Sequence, residues 1–375
     1  MRFSEVIGHE AIKKHLINMV KENRVSHAQL LSGSEGIGKI PLALAFAQYL
    51  NCKDRQGDDS CGECASCKKY AKLIHPDLHF VFPVVKTGKV SSPVSDSYLA
   101  EWREFVLSNK YFNIHQWFDF LGAERGQGLI YSQESQEIIK KLSLKTFEAD
   151  YKVMIIWLPE KMHVAAANKL LKMLEEPPAG TVFLLISDHP ANILGTILSR
   201  AQQLIIPRLG DEDINQALQN QYGIDSDEGK RLAKLAGGNY VAAKEIIEQS
   251  EERTFFFDRF INLMRFAYAR KLFELIAWSD EMNAQSKERQ KNFFHYALRM
   301  IRENFIMNLQ EEELVYLTPE EEQFSVRFSP FINDANVLEL TQELSLAHSH
   351  IEQNGNGRII FMDLSLKVIM LLKQQ

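Results

Sequence analysis

Cysteine is scarce in this sequence and confined to one place: 4 thiols occur in 375 residues, all between Cys52 and Cys67. A disulfide framework spread through the fold is excluded, and thiols packed so closely in a chain of cytosolic type argue for a bound metal. An excess of positive charge is also missing. Lys and Arg number 43 against 49 Asp and Glu, a formal net charge of -6. A protein that coats DNA unaided is normally basic, because phosphate neutralisation supplies most non-specific affinity. Any nucleic-acid role is therefore expected to be local or shared with partners. Long apolar runs are absent as well. The opening Met1-Arg2-Phe3-Ser4-Glu5-Val6 lacks the apolar stretch of a secretory signal. The apolar stretch 359–372 is interrupted by Asp363 and Lys367, too broken to span a bilayer. A cytoplasmic chain with no membrane role is expected. Neither internal repeats nor low-complexity segments occur.

What is present is an ordinary globular balance, 45% hydrophobic and 25% charged, in a chain too long for one core. The first half alternates strand-like apolar runs, at 29–32, 78–82, 153–157, 182–187 and 203–206, with helical patterns. That rhythm predicts an α/β domain with a parallel sheet. Ile12, Leu16 and Val20 stand four apart and share one helix face. A second helix is expected over 165–175, ended by Pro177 and Pro178. Beyond Pro207 the pattern becomes helical, with a break at Gly237-Gly238-Asn239. Amphipathic helices are then expected over 255–273, 292–308, 336–354 and 360–372. The spacing predicts three parts: a nucleotide-type domain at 1–207, a small helical domain at 208–250, and an all-helical domain at 251–375. One stretch breaks the α/β rhythm. Residues 86–94 are rich in Gly, Ser and Lys, and lead into Trp102, Phe105, Tyr111, Phe112, Trp117, Phe118 and Phe120. Such aromatics either present a partner surface or pack an insertion against its own domain.

Gly33-Ser34-Glu35-Gly36-Ile37-Gly38-Lys39 follows an expected strand and opens an expected helix, the setting in which G-x-x-x-x-G-K cradles phosphate. Gly33, Gly36 and Gly38 let backbone N–H groups turn inward, the helix N-terminus adds its dipole, and Lys39 reaches the terminal phosphates. Pro41 sits in the first helical turn, where its missing N–H costs nothing. The next position calls for a Ser or Thr hydroxyl on magnesium, and Ile40 stands there instead. Mg²⁺ is not expected. ATP or ADP binding is left open between a weak nucleotide site and a tight turn inherited from an ATPase. Cys52-x8-Cys61-x2-Cys64-x2-Cys67 supplies four soft thiolates in one loop, the donor set of a closed, structural zinc site. His75, before Pro76, reads as a turn residue rather than a ligand.

These residues together resemble the bacterial clamp-loader AAA+ family. The phosphate loop, the cysteine insertion at 52–67 and His75-Pro76-Asp77 stand in that family's order. Ala165-Ala166-Ala167-Asn168-Lys169-Leu170-Leu171-Lys172-Met173-Leu174-Glu175-Glu176-Pro177-Pro178 is similar to its AAN-x-LLK-x-LEEPP stretch, and Ser199-Arg200-Ala201 to its Ser-Arg-Cys motif. Phe3 to Gly8, with Glu10, looks like its N-terminal box beside the adenine. The resemblance covers most of residues 1 to 250, and the insertion at about 86–125 has no assigned counterpart. It implies an α/β AAA+ P-loop domain carrying a zinc module, then a small helical lid and an all-α collar that joins a ring of subunits.

The departures imply which kind of subunit this is. Where hydrolysing relatives end a strand in Asp-Glu, this chain reads Trp157-Leu158, and where they carry a sensor arginine it has Val241. Glu160 lies too far past the strand to stand in for the lost acids. Losses at magnesium ligation and water activation together remove most of the electrostatic catalysis of phosphoryl transfer. Arg200 survives, and the resemblance makes it an arginine finger acting in trans on a neighbour's γ-phosphate. The expectation is a non-hydrolysing, delta-prime-like subunit, partnered by clamp-loader ATPase subunits and a delta-type subunit, and acting on a sliding clamp and primed DNA. The rival expectations are a gamma/tau-type motor, opposed by Ile40, Trp157, Leu158 and Val241, and a zinc-dependent nucleic-acid-binding P-loop protein that would use Lys140, Lys141 and Lys145.

Overall fold

The computed structural model describes residues 1–86, 93–123, 128–308, 315 and 317–373. Most of the Gly-, Ser- and Lys-rich stretch 86–94, and the end expected for the insertion near 125, lie outside the described residues. The chain divides into two compact units, Met1–Ile246 and Ile247–Gln375.

The first unit runs α1 (Glu10–Lys21), β1 (Ala28–Ser32), α2 (Lys39–Leu50), α3 (Ala65–Ala71), β2 (Leu78–Val81), α4 (Leu99–Ser108), α5 (Ile114–Phe120), α6 (Glu134–Ser143), β3 (Lys152–Trp157), α7 (Val164–Glu175), β4 (Thr181–Ser187), α8 (Gly195–Leu198), β5 (Gln202–Ile205), α9 (Asp211–Tyr222) and α10 (Ser226–Ala236). The five strands form one parallel sheet in the order β2-β3-β4-β1-β5. Every residue of β1, β3 and β4 is buried, as a parallel sheet covered on both faces requires. Alternate side chains go to opposite layers. Val153, Ile155 and Trp157 of β3 join Leu184, Ile186 and the helix α2 in one core; Met154 and Ile156 join Phe183, Leu185 and the helices α6 and α7 in the other. The edge strand β5 carries exposed Gln202 and Gln203.

All of α2 is buried, which explains why its sequence is apolar on every side rather than amphipathic. Part of its cover is the aromatic insertion. Trp102, Phe105, Phe112 and Trp117 lie in the same core cluster as Leu42 and Phe46, and of the aromatics singled out above only Phe120 is exposed. Packing inward is therefore the outcome for this segment. Trp102 stacks on Phe82 at 4.2 Å and meets Trp117 edge-on at 5.1 Å.

The second unit is all helix among its described residues. It holds the greater part of α11 (Tyr240–Tyr268), then α12 (Leu272–Asn283), α13 (Lys287–Asn308), α14 (Pro319–Phe328), α15 (Val337–Glu352) and α16 (Gly357–Leu371). The single helix expected over 255–273 is in fact broken. Arg270 takes a left-handed backbone, φ 54°, and Lys271 N–H donates to Phe266 O, so α11 closes in a Schellman-type turn before α12 starts. Phe260, Trp278, Phe293 and Phe361 fill this unit's core. No helix among the described residues is long and apolar enough to cross a membrane.

Candidate functional site

The phosphate loop connects β1 to α2 with Gly36 and Gly38 at φ 74° and 91°, conformations that a side chain would strain. Both glycines are also closely approached. A Cβ on Gly36 would stand 1.7 Å from Asn239 Oδ1, and one on Gly38 would stand 2.7 Å from Tyr111 Cε1. Lys39 does not extend into open space. Its Nζ donates to Gly33 O at 2.8 Å and to Ser34 O, and pairs with Asp188 Oδ1 at 2.7 Å. Asp188 follows β4 directly, so the carboxylate stands at the C-terminal edge of the strand beside the loop's own strand. The loop's cation is thus neutralised from within the chain.

The remaining walls are equally closed. Ile40 and Trp157 are buried beside the loop, and Val241 is buried at the start of α11. Trp157 meets Phe112 at 5.2 Å and Trp102 at 5.3 Å. Tyr111 accepts a hydrogen bond from Ile7 N–H through its hydroxyl at 2.8 Å, and Tyr240 N–H donates to Gly36 O at 3.1 Å. His9 Nε2 donates to Ile37 O at 2.7 Å, and burial holds this imidazole below its ordinary pKa. Burial, reinforced by the Asp188 charge, pushes the Glu35 carboxyl upward. The cavity left between Gly38, Lys39, Tyr111 and Trp157 measures about 20 Å³, whereas small-molecule sites run to roughly 300–1,000 Å³.

Glu160 does not point toward hydrolysis. Its Oε1 accepts the backbone N–H groups of Asp188 at 2.9 Å and His189 at 3.0 Å, fixing the turn that presents Asp188. Asp188 and the reach of Tyr111 into the cleft were not anticipated from the sequence. The available signal for Asp188 was an acid just past the apolar run 182–186, in the strand neighbouring the phosphate-loop strand.

The four cysteines converge. One sulfur from each of Cys52, Cys61, Cys64 and Cys67 lies within 4.8 Å of every other, with Cys52–Cys61 at 3.6 Å and Cys61–Cys67 at 3.9 Å. Tetrahedral zinc with bonds of about 2.3 Å sets sulfurs about 3.8 Å apart, so the donor set fits that ion. The N–H groups of Cys61, Cys64 and Cys67 donate to the sulfurs of Cys52, Cys61 and Cys64 at 3.3–3.4 Å, the kind of outer support that orients thiolates. His75 is not among them. It packs on Tyr70 at 4.6 Å, accepts from Asp77 N–H and faces Glu148 Oε1 at 3.2 Å.

Arg200 lies just beyond α8, partly exposed. Nη1 donates to Thr196 O at 2.9 Å and Ser199 Oγ at 3.1 Å, and Nη2 meets Glu175 Oε1, the last residue of α7, at 2.6 Å. Of the lysines considered for a nucleic-acid surface, Lys140 pairs with Glu137 and Lys141 with Asp96.

A parallel five-stranded sheet carrying a phosphate loop, joined to a four-cysteine module and followed by helices, defines a AAA+ clamp-loader type of protein. Residues 8–210 match the family described as DNA polymerase III, delta subunit, and the chain belongs to that family. It is 27% identical to the DNA polymerase III subunit delta' of Bacillus subtilis (strain 168), over 81% of this chain and 80% of that one. The delta' subunit of Yersinia pestis is 32% identical over 50% of this chain and 43% of its own. The tau subunit of the same Bacillus strain is 27% identical over 66% of this chain but spans far more, since only 38% of its length is covered. Among solved structures, a DNA polymerase III gamma subunit-related protein from Thermotoga maritima aligns with 96% of this chain at 14% identity and a TM-score of 0.38.

Proposed function

We propose that this clamp-loader subunit is of the delta-prime type: it completes a neighbour's ATP site and turns over no ATP itself. The observation that carries the reading is the ion pair of Lys39 with Asp188, beside buried Ile40 and Trp157. Phosphoryl transfer needs a cation on the β- and γ-oxygens, a magnesium ligand and an oriented water. Here the lysine is engaged, the hydroxyl is an isoleucine methyl, and the acids are replaced by apolar bulk. The gamma/tau-type motor reading is disfavoured on the same grounds.

Arg200 keeps a guanidinium partly exposed at the end of α8. In this reading it leaves Glu175 for the γ-phosphate held by an adjacent ATPase subunit and stabilises the charge that develops there. The partners are loader ATPase subunits and a delta-type subunit, acting on a sliding clamp and primed DNA, in the cytoplasm. Residues 1–207 would serve as the P-loop domain, 208–250 as the lid and 251–375 as the collar. Cys52, Cys61, Cys64 and Cys67 would hold zinc structurally, where the ion ties together the loop between α2 and α3.

The test is DNA- and clamp-stimulated ATP turnover by this chain mixed with a tau/gamma-type ATPase, wild type against Arg200→Ala. An inactive chain alone, an active mixture and a loss on substitution support the reading. Turnover by the chain alone, or no effect of Arg200→Ala, overturns it.

A further inference from the structure

We infer that residues 109–113 act as a built-in ligand of the phosphate-loop cleft, clamping the sheet domain to the start of α11 in the place a nucleotide would take. The inference goes beyond the trans role of Arg200 and does not depend on it.

Four contacts converge on this short segment from different parts of the first unit. The Tyr111 ring lies so close to Gly38 that a methyl group there would be 2.7 Å from Cε1. Its hydroxyl holds the backbone N–H of Ile7, ahead of α1, at 2.8 Å. Its ring meets Tyr240 edge-on at 5.0 Å, while Tyr240 N–H holds Gly36 O. Lys244 Nζ, one turn further along α11, donates to Asn109 Oδ1 at 2.7 Å and to Tyr111 O at 3.4 Å.

The far end of the segment is tied to the same helix. Asn113 caps α5 through its side chain, and Asn113 Nδ2 and Gln116 Nε2 both donate to Glu245 Oε1 at 3.2 Å. One continuous stretch therefore bridges the phosphate loop, the chain before α1 and the first turns of α11. Bridging such elements is the work a bound ligand does, and here the ligand is covalent and permanent. A tethered group binds at high effective concentration, so a free competitor meets a cleft already filled. The charge side of the mimicry is supplied separately, by Asp188 on Lys39.

The experiment is backbone hydrogen exchange on the full chain, with and without millimolar MgATP. In wild type, residues 33–39 and 240–246 should be protected without nucleotide and unchanged by MgATP. Tyr111→Ala should speed exchange at both sites by about tenfold or more, since the opening free energy of a local unit falls when its contacts are removed. Exchange in α13 and α16 of the second unit should stay as in wild type, which excludes global unfolding. Lys244→Met keeps the ring in place and should loosen 240–246 alone, giving a second arm if Tyr111→Ala does not fold. Protection of residues 33–39 by MgATP in wild type overturns the inference. So does wild-type exchange at 240–246 in Lys244→Met. Arg200→Ala should leave every one of these rates unchanged, so a failed finger and a failed clamp are told apart.

Discussion

Lys39 Nζ sits 2.7 Å from Asp188 Oδ1, and the two side chains are only 4% and 11% exposed. The lysine that a phosphate loop offers to phosphate thus carries a buried intrachain carboxylate. Removing one member of a buried pair leaves the other charge unpaired, which typically costs 3–5 kcal/mol. Gly33 O and Ser34 O still accept from Lys39. Asp188→Ala is therefore expected near the low end, about 3 kcal/mol less stable in urea unfolding. The double variant Lys39→Met with Asp188→Leu should recover most of that loss, because an apolar pair carries no desolvation cost. A stability change for Asp188→Ala under about 0.5 kcal/mol, the size of an ordinary surface substitution, would remove the pair's structural role.

The sheet was legible because β1, β3 and β4 are buried on both faces, and such strands read as unbroken apolar runs bounded by breaks. Their true starts each include one further residue, Ala28, Lys152 and Thr181. Lys152 was unreadable as strand because a lysine signals solvent; here its buried Nζ donates to Lys141 O and Leu144 O. The phosphate loop and the converging cysteines were equally plain, since both are local in sequence. What closes the cleft was not. Ile7 and Tyr111 are 104 residues apart, and an acid after a strand looks the same whether it faces water or Lys39. The break at Arg270 escaped for a local reason: a left-handed turn at a non-glycine residue leaves no mark in apolar periodicity.

The cysteine module bears on the N-terminal segment as well as on its own loop. Asp59, between Cys52 and Cys61, accepts the N–H groups of Phe3 at 2.9 Å and Ser4 at 3.0 Å. Metal removal should therefore loosen residues 3–6 along with 52–67. We expect one zinc per chain by elemental analysis. Chelation, or Cys61→Ser, should lower the melting temperature by roughly 10 °C, corresponding to a few kcal/mol in a unit of this size. Faster hydrogen exchange at residues 3–6 should accompany the loss. A metal-free preparation whose melting point ignores chelators would show that the sulfurs converge without an ion.

His79 in β2 supplies a pH signature. Burial, then the charges of Lys141 and Lys152, hold its pKa down to about 4, against 6.5 for the free side chain. A depressed histidine is neutral in the fold, while the unfolded chain takes up the proton first. Its contribution is therefore complete above pH 6.5 and lost as pH falls from about 6.5 towards 4. His75, also lowered by burial, acts in the same direction. Wild type should lose about 2 kcal/mol across that window on account of His79, a figure discounted for its partial exposure. His79→Gln should flatten the urea midpoint against pH between 4 and 6.5. An unchanged slope would assign the acid sensitivity to other groups.

Arg200 and Glu175 form the last testable pair. With side chains 35% and 48% exposed, their 2.6 Å contact is screened by water and should add little to stability, about 0.5 kcal/mol or less. Glu175→Ala is thus expected to melt with wild type. Its effect belongs to the assembled loader, if Arg200 serves a neighbour's γ-phosphate. The guanidinium must then exchange one anion for another, and Glu175 is the competitor. Removing it should favour the ATP-engaged position and tighten ATP binding at the neighbouring site by a few-fold, roughly 1 kcal/mol. Arg200→Ala should slow single turnover at that site by about a thousandfold, the lower range for an arginine finger. Arg200→Lys should rescue it poorly, because an ammonium lacks the planar fork that holds phosphate in two places. The combined Glu175→Ala and Arg200→Ala chain should behave as Arg200→Ala alone. If Glu175→Ala instead shifts ATP affinity with Arg200 already absent, the carboxylate acts on the neighbour by another route and its role as a rest position for the finger is wrong.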